Sequence, residues 1–310
     1  TVGQKSPVQS MRRTTRESMM AMGLNEIVTY TLVGQDYIDN SLDPVGEAVA
    51  LAMPMSEARK YLRTSLINSV LECVQYNEAH GNQDLGFYEM SKLYGKDGKE
   101  AERLAIVLDG NLNADPLRKL EQPGDFYAMK GIILAWLKKC GYTGSRIRIC
   151  ENKKDTVHFH PYRSAEVYLG KDFLGVFGEV HPAYAKKFDL GRITYAELTV
   201  DAVYHGSTGR IKFEELNKFQ AVSRDIALVV ARDVPAQNIL EAVRRSGAKI
   251  VSDVQIFDVY EGEHVAADQK SVALHILYQA DHTLKDDEIS EAHEKILKSL
   301  KEKVNAELRA

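Results

Sequence analysis

The chain has 310 residues, of which 44% are hydrophobic and 27% charged, and its formal net charge is −4. No run approaches the ~18 consecutive apolar residues that a membrane-spanning helix needs, so we expect no membrane partner. Three cysteines are too few for a disulfide framework, which favours a reducing cytoplasm. The sequence opens Thr1-Val2-Gly3 without an initiator methionine, which indicates a piece of a longer protein.

The first two hundred residues mix strand-like and helix-like stretches in an irregular order. The first helix carries Met11, Thr15, Met19 and Met22 at helical spacing and ends at Gly23. The further predicted elements are a strand over 26–33, a helix over 65–80, strands over 85–94 and 103–108, a helix over 125–139, and strands over 167–169, 173–180 and 194–200. Consecutive strands with irregularly placed helices predict an α+β fold with a mostly antiparallel sheet.

A domain boundary is predicted near residue 210. Residues 205–209 are small, polar and rich in glycine, which is typical of a linker. We therefore assign the two domains to residues 1–209 and 210–310. Residues 214–310 have a charge balance of −5, against +1 for the residues before them. Because nonspecific affinity for nucleic acid comes from neutralising phosphates, the second domain is not a general polyanion binder.

The last hundred residues predict a small sheet covered by two helices. In chain order the elements are a strand over 223–231, a helix that Pro235 opens, strands over 250–260 and 271–279, a helix that begins with a Thr283–Asp286 cap, and a short strand within 304–309. The order β-α-β-β-α-β is that of the ferredoxin-like fold, in which both helices pack on one face of an antiparallel sheet. The other face is then free for a partner.

Motifs for cofactor sites are absent or weak. The sequence has neither a Gly-x-Gly-x-x-Gly fingerprint nor a Walker loop, so dinucleotide and P-loop sites are not expected. Cys140, Cys150, His158 and His160 belong to the residue types that bind zinc, but their spacing matches no paired short-gap pattern. We therefore expect free thiols and no metal site.

Two further residues are of types that carry nucleophilic or acid–base chemistry. Ser164 has a histidine and an arginine nearby in sequence but no nucleophile-elbow pattern, and we favour a turn that enters the strand at Val167. Glu179 lies beside His181, but this stretch is also typical of a strand end before a proline-started helix. We predict no catalytic residue in the chain.

Several blocks in the last hundred residues occur together in one known family. They are FQAVSRDIALVV at 219–230, FDVY at 257–260 with Gly262, Lys270-Ser271, and TLKDDEI at 283–289. In this order they resemble the ferredoxin-fold anticodon-binding domain of the β subunit of bacterial phenylalanyl-tRNA synthetase. Each block alone is weak, but their common order is specific.

The first two hundred residues resemble the same family's catalytic-like module, a degenerate copy of a class II synthetase core. The matching blocks are the helix and strand over 12–30, LRTSL at 62–66, FYEMSKLY at 87–94, MKG at 129–131, HPYRSA at 160–165 and GEVHP at 178–182. The family commonly has proline where Gln220 stands and glycine where Tyr162 stands. Its upstream editing, tRNA-binding-like and DNA-binding-like regions have no counterpart here, so the resemblance also implies a fragment.

The resemblance implies that this module does not activate phenylalanine. Class II adenylation needs an arginine that stabilises charge on the α-phosphate, and the strand where it is expected offers Ser91-Lys92. Lysine supplies a point charge and not a bidentate fork. The glycine-rich, arginine-bearing third motif is not visible, and residues 178–182 occupy that end of the module. Catalysis with ATP and Mg²⁺ is then expected in a separate α subunit, with no cofactor bound by this chain.

The implied partners are this α subunit, in an (αβ)2 heterotetramer, and tRNA(Phe). The interface residues expected on the first helix are Met11, Arg12, Met19 and Met22. For the three methionines, ordinary packing in the protein core is an equal alternative. Anticodon contacts are expected on the polar face and edges of the small sheet. The candidates are Phe257 and His275 for stacking, Gln255 and Ser271 for base edges, and Arg224 and Lys270 for phosphate. A structural turn at Arg224 and core packing of Phe257 are the alternatives.

These observations predict the C-terminal region of a phenylalanine–tRNA ligase β subunit. On this prediction the chain is non-catalytic by itself, packs on the catalytic α subunit, and binds the tRNA anticodon region in the cytoplasm. The alternative is a stand-alone RNA-binding or scaffolding protein without a ligase partner.

Overall fold

The computed structural model describes residues 3–206, 208, 213, 215–246, 248–263 and 265–309, without the side chains of Asp97 and Ser145. The chain divides into two compact units, Thr1–Arg210 and Ile211–Ala310. The boundary predicted between Gly209 and Arg210 lies outside the described residues. No helix of the described part is long and apolar enough to cross a membrane.

Unit 1 is an antiparallel sheet with helices on both faces. Its helices are α1 (Pro7–Ala21), α2 (Gln35–Asp39), α3 (Ile67–Ala79), α4 (Phe126–Lys139), α5 (Pro182–Ala185) and α6 (Asp201–His205). Its strands are β1 (Asn25–Glu26), β2 (Leu32–Val33), β3 (Tyr61–Leu62), β4 (Leu85–Gly95), β5 (Lys99–Asp109), β6 (Asn111–Asp115), β7 (Leu120–Pro123), β8 (Ile147–Glu151), β9 (Phe159–Leu169), β10 (Asp172–Val180) and β11 (Ile193–Thr199).

Seven of these strands form one sheet in the order β1-β4-β5-β11-β10-β9-β8. The β1–β4 pair is parallel and the other neighbours are antiparallel. The remaining strands form two small antiparallel pairs, β2 with β3 and β6 with β7. The predicted mostly antiparallel α+β arrangement is confirmed.

Two hydrophobic cores lie on opposite faces of the seven-stranded sheet. On the face that packs against α1 and α4, Trp136 is fully buried and its indole N–H donates to Thr15 Oγ1 at 3.0 Å. We call the opposite side the α3 face, since Leu66, Ile67, Val70, Leu71 and Val74 of the α3 segment pack there on strand residues such as Phe87, Val107 and Tyr195.

Local signals explain where the main helices begin. Ser6 and Gln9 form a reciprocal capping box at the start of α1, with Pro7 at its first position. Asp125 caps α4 by accepting from the backbone N–H groups of Tyr127 and Ala128. These caps satisfy backbone donors that a helix start leaves unpaired.

The predicted strand over 26–33 is wrong as a single element. β1 ends at Glu26 because it pairs only with β4, and β2 begins at Leu32 because it pairs with β3. The connecting residues leave the sheet, and Val28 and Tyr30 are exposed. The α2 and α6 helices, β3, the β6–β7 hairpin and β8 were not predicted.

The turn predicted at Ser164 is also wrong, because β9 already begins at Phe159. The strand extends this far because Gly178 of β10 allows a close approach. Gly178 has φ +142°, and a Cβ there would lie 2.3 Å from the carbonyl oxygen of Arg163. An L-residue with a side chain would clash at this position.

Unit 2 has the predicted ferredoxin-like order. Its elements are β12 (Val222–Ala231), α7 (Ala236–Arg244), β13 (Val251–Tyr260), β14 (Gln269–Tyr278), α8 (Asp286–Val304) and β15 (Glu307–Leu308). The sheet order is β13-β14-β12-β15, antiparallel throughout. The buried stripe of α8, formed by Ile289, Ala292, Ile296 and Leu300, packs with the inward strand residues.

The start of α8 differs from the predicted Thr283–Asp286 cap. The helix begins one position after Lys285, whose backbone N–H donates to the Glu288 carboxylate at 2.9 Å. Asp286 and Asp287 complete an acidic first turn, which the positive end of the helix dipole stabilises.

Candidate functional site

The face of the unit 2 sheet opposite α7 and α8, called the open face below, has His275 near its centre. The register pairs His275 of β14 with Asp225 of β12 on one side and with Gln255 of β13 on the other. His275 Nδ1 lies 2.6 Å from Asp225 Oδ1. Since a carboxylate accepts, the Nδ1–H is committed and Nε2 is left for a ligand. Gln255 donates to Asp253 at 2.7 Å.

Ser271 is not available to a base edge, contrary to its predicted role. It is only 4% exposed, and Arg309 Nη1 donates to its hydroxyl at 3.3 Å. The Arg309 guanidinium also lies 5.2 Å from the centroid of the Tyr260 ring. Tyr260 is opposite Ser271 in the register and partly exposed, so a stacked Tyr260–Arg309 pair occupies this end of the open face.

Phe257 lies at the edge of the sheet in a β-bulge. The register passes from Ile256–Leu274 to Asp258–Ala273, so Phe257 has no partner on β14. Its side chain is 60% exposed, which excludes the alternative of core packing. Phe257 therefore presents an aromatic ring to solvent on the outer strand of the sheet.

Arg224 and Lys270 do not form a pair on the open face. In the register Arg224 is opposite Ile276 and Lys270 is opposite Val230, so alternation places both on the helix-packed side. Burial raises the pKa of Tyr278 and lowers the pKa of His293. The positive charge of Arg224 lowers both pKa values, so Arg224 lies on the same side as these two residues. Six residues of β14 separate the two positions, about 20 Å at 3.3 Å per residue. One phosphate cannot contact both.

The open face is acidic at its polar positions. Asp225, Asp253 and Asp258 are exposed on or beside it, while its central strands contribute the small residues Ala227 and Ala273. Carboxylates repel phosphates, whereas flat apolar surface and aromatic rings accept bases. The face is therefore suited to unstacked bases of an RNA loop and not to a duplex backbone.

The outward surface of α1 only partly matches the predicted interface residues. Met19 is fully buried in the core, so it is not a surface residue, and Met11 and Met22 are half-buried against the same core. Arg12 donates to the Glu102 carboxylate at 2.9 Å and stays 36% exposed. Met20, 56% exposed, is the methionine that faces solvent. The exposed groove of about 520 Å³ on this helix is lined by Lys5, Gln9, Arg12, Arg13, Arg16, Glu17 and Met20.

Two buried charged residues of the α3 face, Arg63 and Glu89, are paired with each other. Arg63, 4% exposed, donates to Glu89 Oε1 at 2.9 Å, and Glu89 is 1% exposed. The same carboxylate accepts from the hydroxyls of Thr29 and Ser91 at 2.7 and 2.8 Å. Breaking a buried pair of this kind leaves an uncompensated charge, so Arg63 is held by the protein itself.

Glu197 closes the start of α3. The backbone N–H of Leu66 donates to Glu197 Oε2 at 3.0 Å, and the Tyr195 hydroxyl donates to the same oxygen at 2.8 Å. Burial raises the pKa of Glu197, although nearby Arg103 opposes this. A helix N-terminus is a ready anion site, and here a side chain of the sheet occupies it.

Ser91 and Lys92 do not supply a phosphate-binding cation to this face. Ser91 is bonded to Glu89, and Lys92 lies on the other side of β4, where its ammonium pairs with Glu100. Both members of the Lys92–Glu100 pair are half-exposed. Neither Ser91 nor Lys92 therefore offers a free cation to the α3 face.

The remaining sequence candidates have structural partners. Cys140 is buried in the core against α1, which raises its thiol pKa to about 11. His158 is buried between Asp155 and the Asn40 carbonyl. Among the described residues no three His, Cys, Asp or Glu side chains are placed to hold a metal ion. The Ser164 hydroxyl donates to the His160 carbonyl at 2.7 Å, and β10 ends at Val180 before α5, as predicted.

Two family models match the chain. Residues 1–200 match the phenylalanyl tRNA synthetase beta chain CLM domain, and residues 217–309 match the ferredoxin-fold anticodon binding domain. Among solved structures, the pyrrolysyl-tRNA synthetase of Desulfitobacterium hafniense shares 12% identity at a TM-score of 0.50, over 66% of this chain and 70% of that one. At this identity the likeness concerns the fold alone.

Curated relatives named phenylalanine–tRNA ligase beta subunit are similar over nearly the whole chain. The relative from Staphylococcus saprophyticus is 34% identical over 94% of this chain and 37% of its own length. The relative from Geobacillus kaustophilus is 34% identical over 99% of this chain and 39% of its own length. The relative from Bacillus subtilis is 32% identical over 100% of this chain and 39% of its own length. The chain therefore spans less than two-fifths of the length of these relatives.

Proposed function

The chain belongs to the family of phenylalanyl-tRNA synthetase β chains, and we propose that it serves phenylalanine–tRNA ligase as a non-catalytic region of the β subunit. In this function unit 1 packs on the catalytic α subunit and unit 2 binds the anticodon region of tRNA(Phe). The cytoplasm, where tRNA is charged, is the proposed location. The proposed assembly of the complete chains is an (αβ)2 heterotetramer.

The observation that carries the proposal is the internal neutralisation of the α3 face. Arg63 is paired with Glu89, and the N-terminus of α3 is bonded to Glu197. The phosphates of ATP need free cationic side chains, and the Mg²⁺ that accompanies ATP needs free carboxylates. The residues present do not fit this cofactor pair, so no step of the reaction is assigned to this chain. ATP and Mg²⁺ are then bound by the α subunit.

The surface of α1 supports the proposed subunit contact. Arg12, Arg13 and Arg16 line the groove together with exposed Met20. Arginine and methionine are both enriched at protein interfaces, because arginine combines a planar donor fork with an apolar stem and methionine adapts its shape. The arginines are partly neutralised by Glu17, Glu26 and Glu102, which limits electrostatic attraction to the wrong partner.

The open face of unit 2 supports the proposed RNA contact. His275 and Tyr260 offer rings at its centre and end, and Phe257 offers a third at its edge. Sequence-specific proteins bind single-stranded RNA by stacking unpaired bases on such rings and by bonding their edges. An anticodon loop is a single-stranded RNA segment with unpaired bases.

Coexpression with the phenylalanine–tRNA ligase α subunit tests the proposal. The complete β chain should assemble with the α subunit and the complex should charge tRNA(Phe), while the chain of 310 residues alone should form no phenylalanyl adenylate. Adenylate formation by the chain alone would overturn the proposal. A chain that fails to bind the α subunit but binds tRNA unaided would favour the stand-alone RNA-binding alternative.

A further inference from the structure

A cluster of cationic and imidazole side chains lies on unit 1 where β10 ends and β9 and β11 begin. Glu179 is its centre, with its side chain 6% exposed. Arg163 Nε and Nη2 donate to the two oxygens of this carboxylate at 2.6 Å each, and Arg192 Nε donates to Oε2 at 2.7 Å. One carboxylate thus orients two guanidinium groups.

Arg192 has unused capacity for a ligand. Its side chain is 66% exposed, and among the described residues only its Nε makes a hydrogen bond. The two terminal nitrogens are therefore available. Arg163 already uses two donors on Glu179, so Glu179 keeps a bidentate partner even if Arg192 turns to another anion.

Two histidines beside the arginines also present donors. Nδ1 of His160 accepts from the backbone N–H of Tyr162 at 3.1 Å, and Nδ1 of His181 accepts from that of Ala183 at 3.2 Å. An imidazole whose Nδ1 accepts carries its hydrogen on Nε2. Each ring therefore offers an Nε2–H donor and no free acceptor.

The local charge is positive. Burial lowers the pKa of His160, and the charges of Arg163, His181 and Arg192 lower it further, while Glu179 alone raises it. Two guanidinium groups thus face one carboxylate within electrostatic reach of His160, which leaves one positive charge in excess. An exposed ring completes the cluster, since Tyr162 is 89% exposed and its centroid lies 6.1 Å from that of His160.

We propose that Arg192, His160, His181 and Tyr162 form a binding site for a nucleotide phosphate, with the phosphate oxygens on the arginine and the two Nε2–H groups and the base on the tyrosine ring. A set of donors without acceptors selects an oxyanion, and an adjacent exposed aromatic ring selects a base. The nucleotide is either part of an RNA or free in solution. The RNA source rests on the proposed function.

The first test uses uridine 5′-monophosphate and inorganic phosphate on the full chain, observed through the imidazole nitrogen signals in NMR spectra. Saturable shifts of His160 and His181 are expected with the nucleotide. Arg192→Gln should weaken its binding about tenfold, as expected for the loss of one charge-assisted hydrogen bond. Arg118→Gln is the matched control, since Arg118 is an 80% exposed arginine with one carboxylate neighbour. It should leave the affinity unchanged.

Tyrosine variants separate the base from the phosphate. Tyr162→Ala should weaken binding of uridine 5′-monophosphate but not of inorganic phosphate. Tyr76→Ala is its control, because Tyr76 is also exposed and also lies beside a histidine, His80, at 4.0 Å between ring centroids. Absence of saturable shifts at millimolar nucleotide, or equal effects of Arg192→Gln and Arg118→Gln, would overturn the site.

Binding of tRNA(Phe) by the same variants identifies the source of the nucleotide. Weaker tRNA binding by both Arg192→Gln and Tyr162→Ala supports an RNA source, and unchanged tRNA binding supports a free nucleotide. An isolated anticodon stem–loop should bind these variants as it binds the unmodified chain. If the unmodified chain does not bind the isolated stem–loop, the proposed function is contradicted. The result with uridine 5′-monophosphate is not affected by that outcome.

Discussion

The backbone N–H of Leu66 donates to the carboxylate of Glu197 at 3.0 Å, which joins the start of α3 to the middle of the seven-stranded sheet. The bond places a protein carboxylate where a helix N-terminus could otherwise hold a phosphate. Together with the Arg63–Glu89 pair, it supports the proposal that the α3 face holds no ATP.

The pH dependence of stability should reveal the burial of Glu197. Its pKa is raised above the usual 4.5, so the folded state binds a proton that the unfolded state has already lost. Stability from this group is complete below pH 4.5 and is lost as pH rises toward its folded pKa. Glu197→Gln should remove that loss, so the variant should gain stability relative to the unmodified chain with rising pH.

Urea unfolding of both proteins at several pH values measures this difference. Glu100→Gln is the control, because Glu100 is half-exposed in the same sheet and pairs only with Lys92 among the described residues. A stability difference between Glu197→Gln and the unmodified chain that does not change with pH would contradict the assigned pKa direction.

Two neighbouring methionines of α1 should have different roles. Met19 is fully buried, so Met19→Ala should destabilise unit 1 by about 2–5 kcal/mol through loss of core packing. Met20 is exposed, so Met20→Ala should leave thermal unfolding nearly unchanged but weaken assembly with the α subunit. Thermal unfolding and coelution with the α subunit measure the two effects. Equal assembly of Met20→Ala and the unmodified chain would exclude Met20 from the interface.

The helical spacing of Met11, Thr15, Met19 and Met22 correctly predicts α1 and its inward side. It does not decide which of these residues also contacts another chain, since an inward stripe and an interface stripe have the same period. The burial of Met19 depends on Trp136 and Tyr88, which are distant in sequence. Met20 lies outside the inward stripe by its spacing, and the structure shows that it is exposed.

The face assignments in unit 2 show a similar limit. Arg224 has the same strand parity as Ile226 and Leu228, so its place on the helix-packed side was predictable from alternation. The burial of Ser271 was not predictable from the sequence pattern, because the residue that covers it, Arg309, lies thirty-eight residues later in the chain. The bulge that exposes Phe257 also leaves no clear sequence signal, since its flanking residues continue a regular strand pattern.

His275 should contribute to RNA binding without contributing much to stability. His275→Ala should weaken binding of the tRNA(Phe) anticodon stem–loop about tenfold, since stacking of one base is worth about 1–3 kcal/mol. His282→Ala is the control, because His282 is also about half-exposed and also bonded to an aspartate, but it lies at the start of α8. Fluorescence anisotropy measures both affinities, and equal affinities would remove His275 from the site.

Arg224→Ala and Lys270→Ala should affect the same stem–loop less than His275→Ala does. Both residues lie on the helix-packed side of the sheet. Ile276, the β14 residue opposite Arg224, is about 20 Å from Lys270 along the strand. We expect each to change the affinity less than about twofold, which corresponds to less than about 0.5 kcal/mol. A tenfold loss in either variant would show that the RNA also contacts the helix-packed side.

Calorimetric titration of ATP with Mg²⁺ into the 310-residue chain tests the central claim most directly. Because Arg63 and the start of α3 are already bonded within the protein, we predict no ATP binding on the α3 face. Any saturable heat should then come from the site proposed at Arg192 and should be weakened by Arg192→Gln and not by Arg63→Ala. Saturable ATP binding that Arg63→Ala abolishes would contradict the claim, since it would place a working nucleotide site on the α3 face.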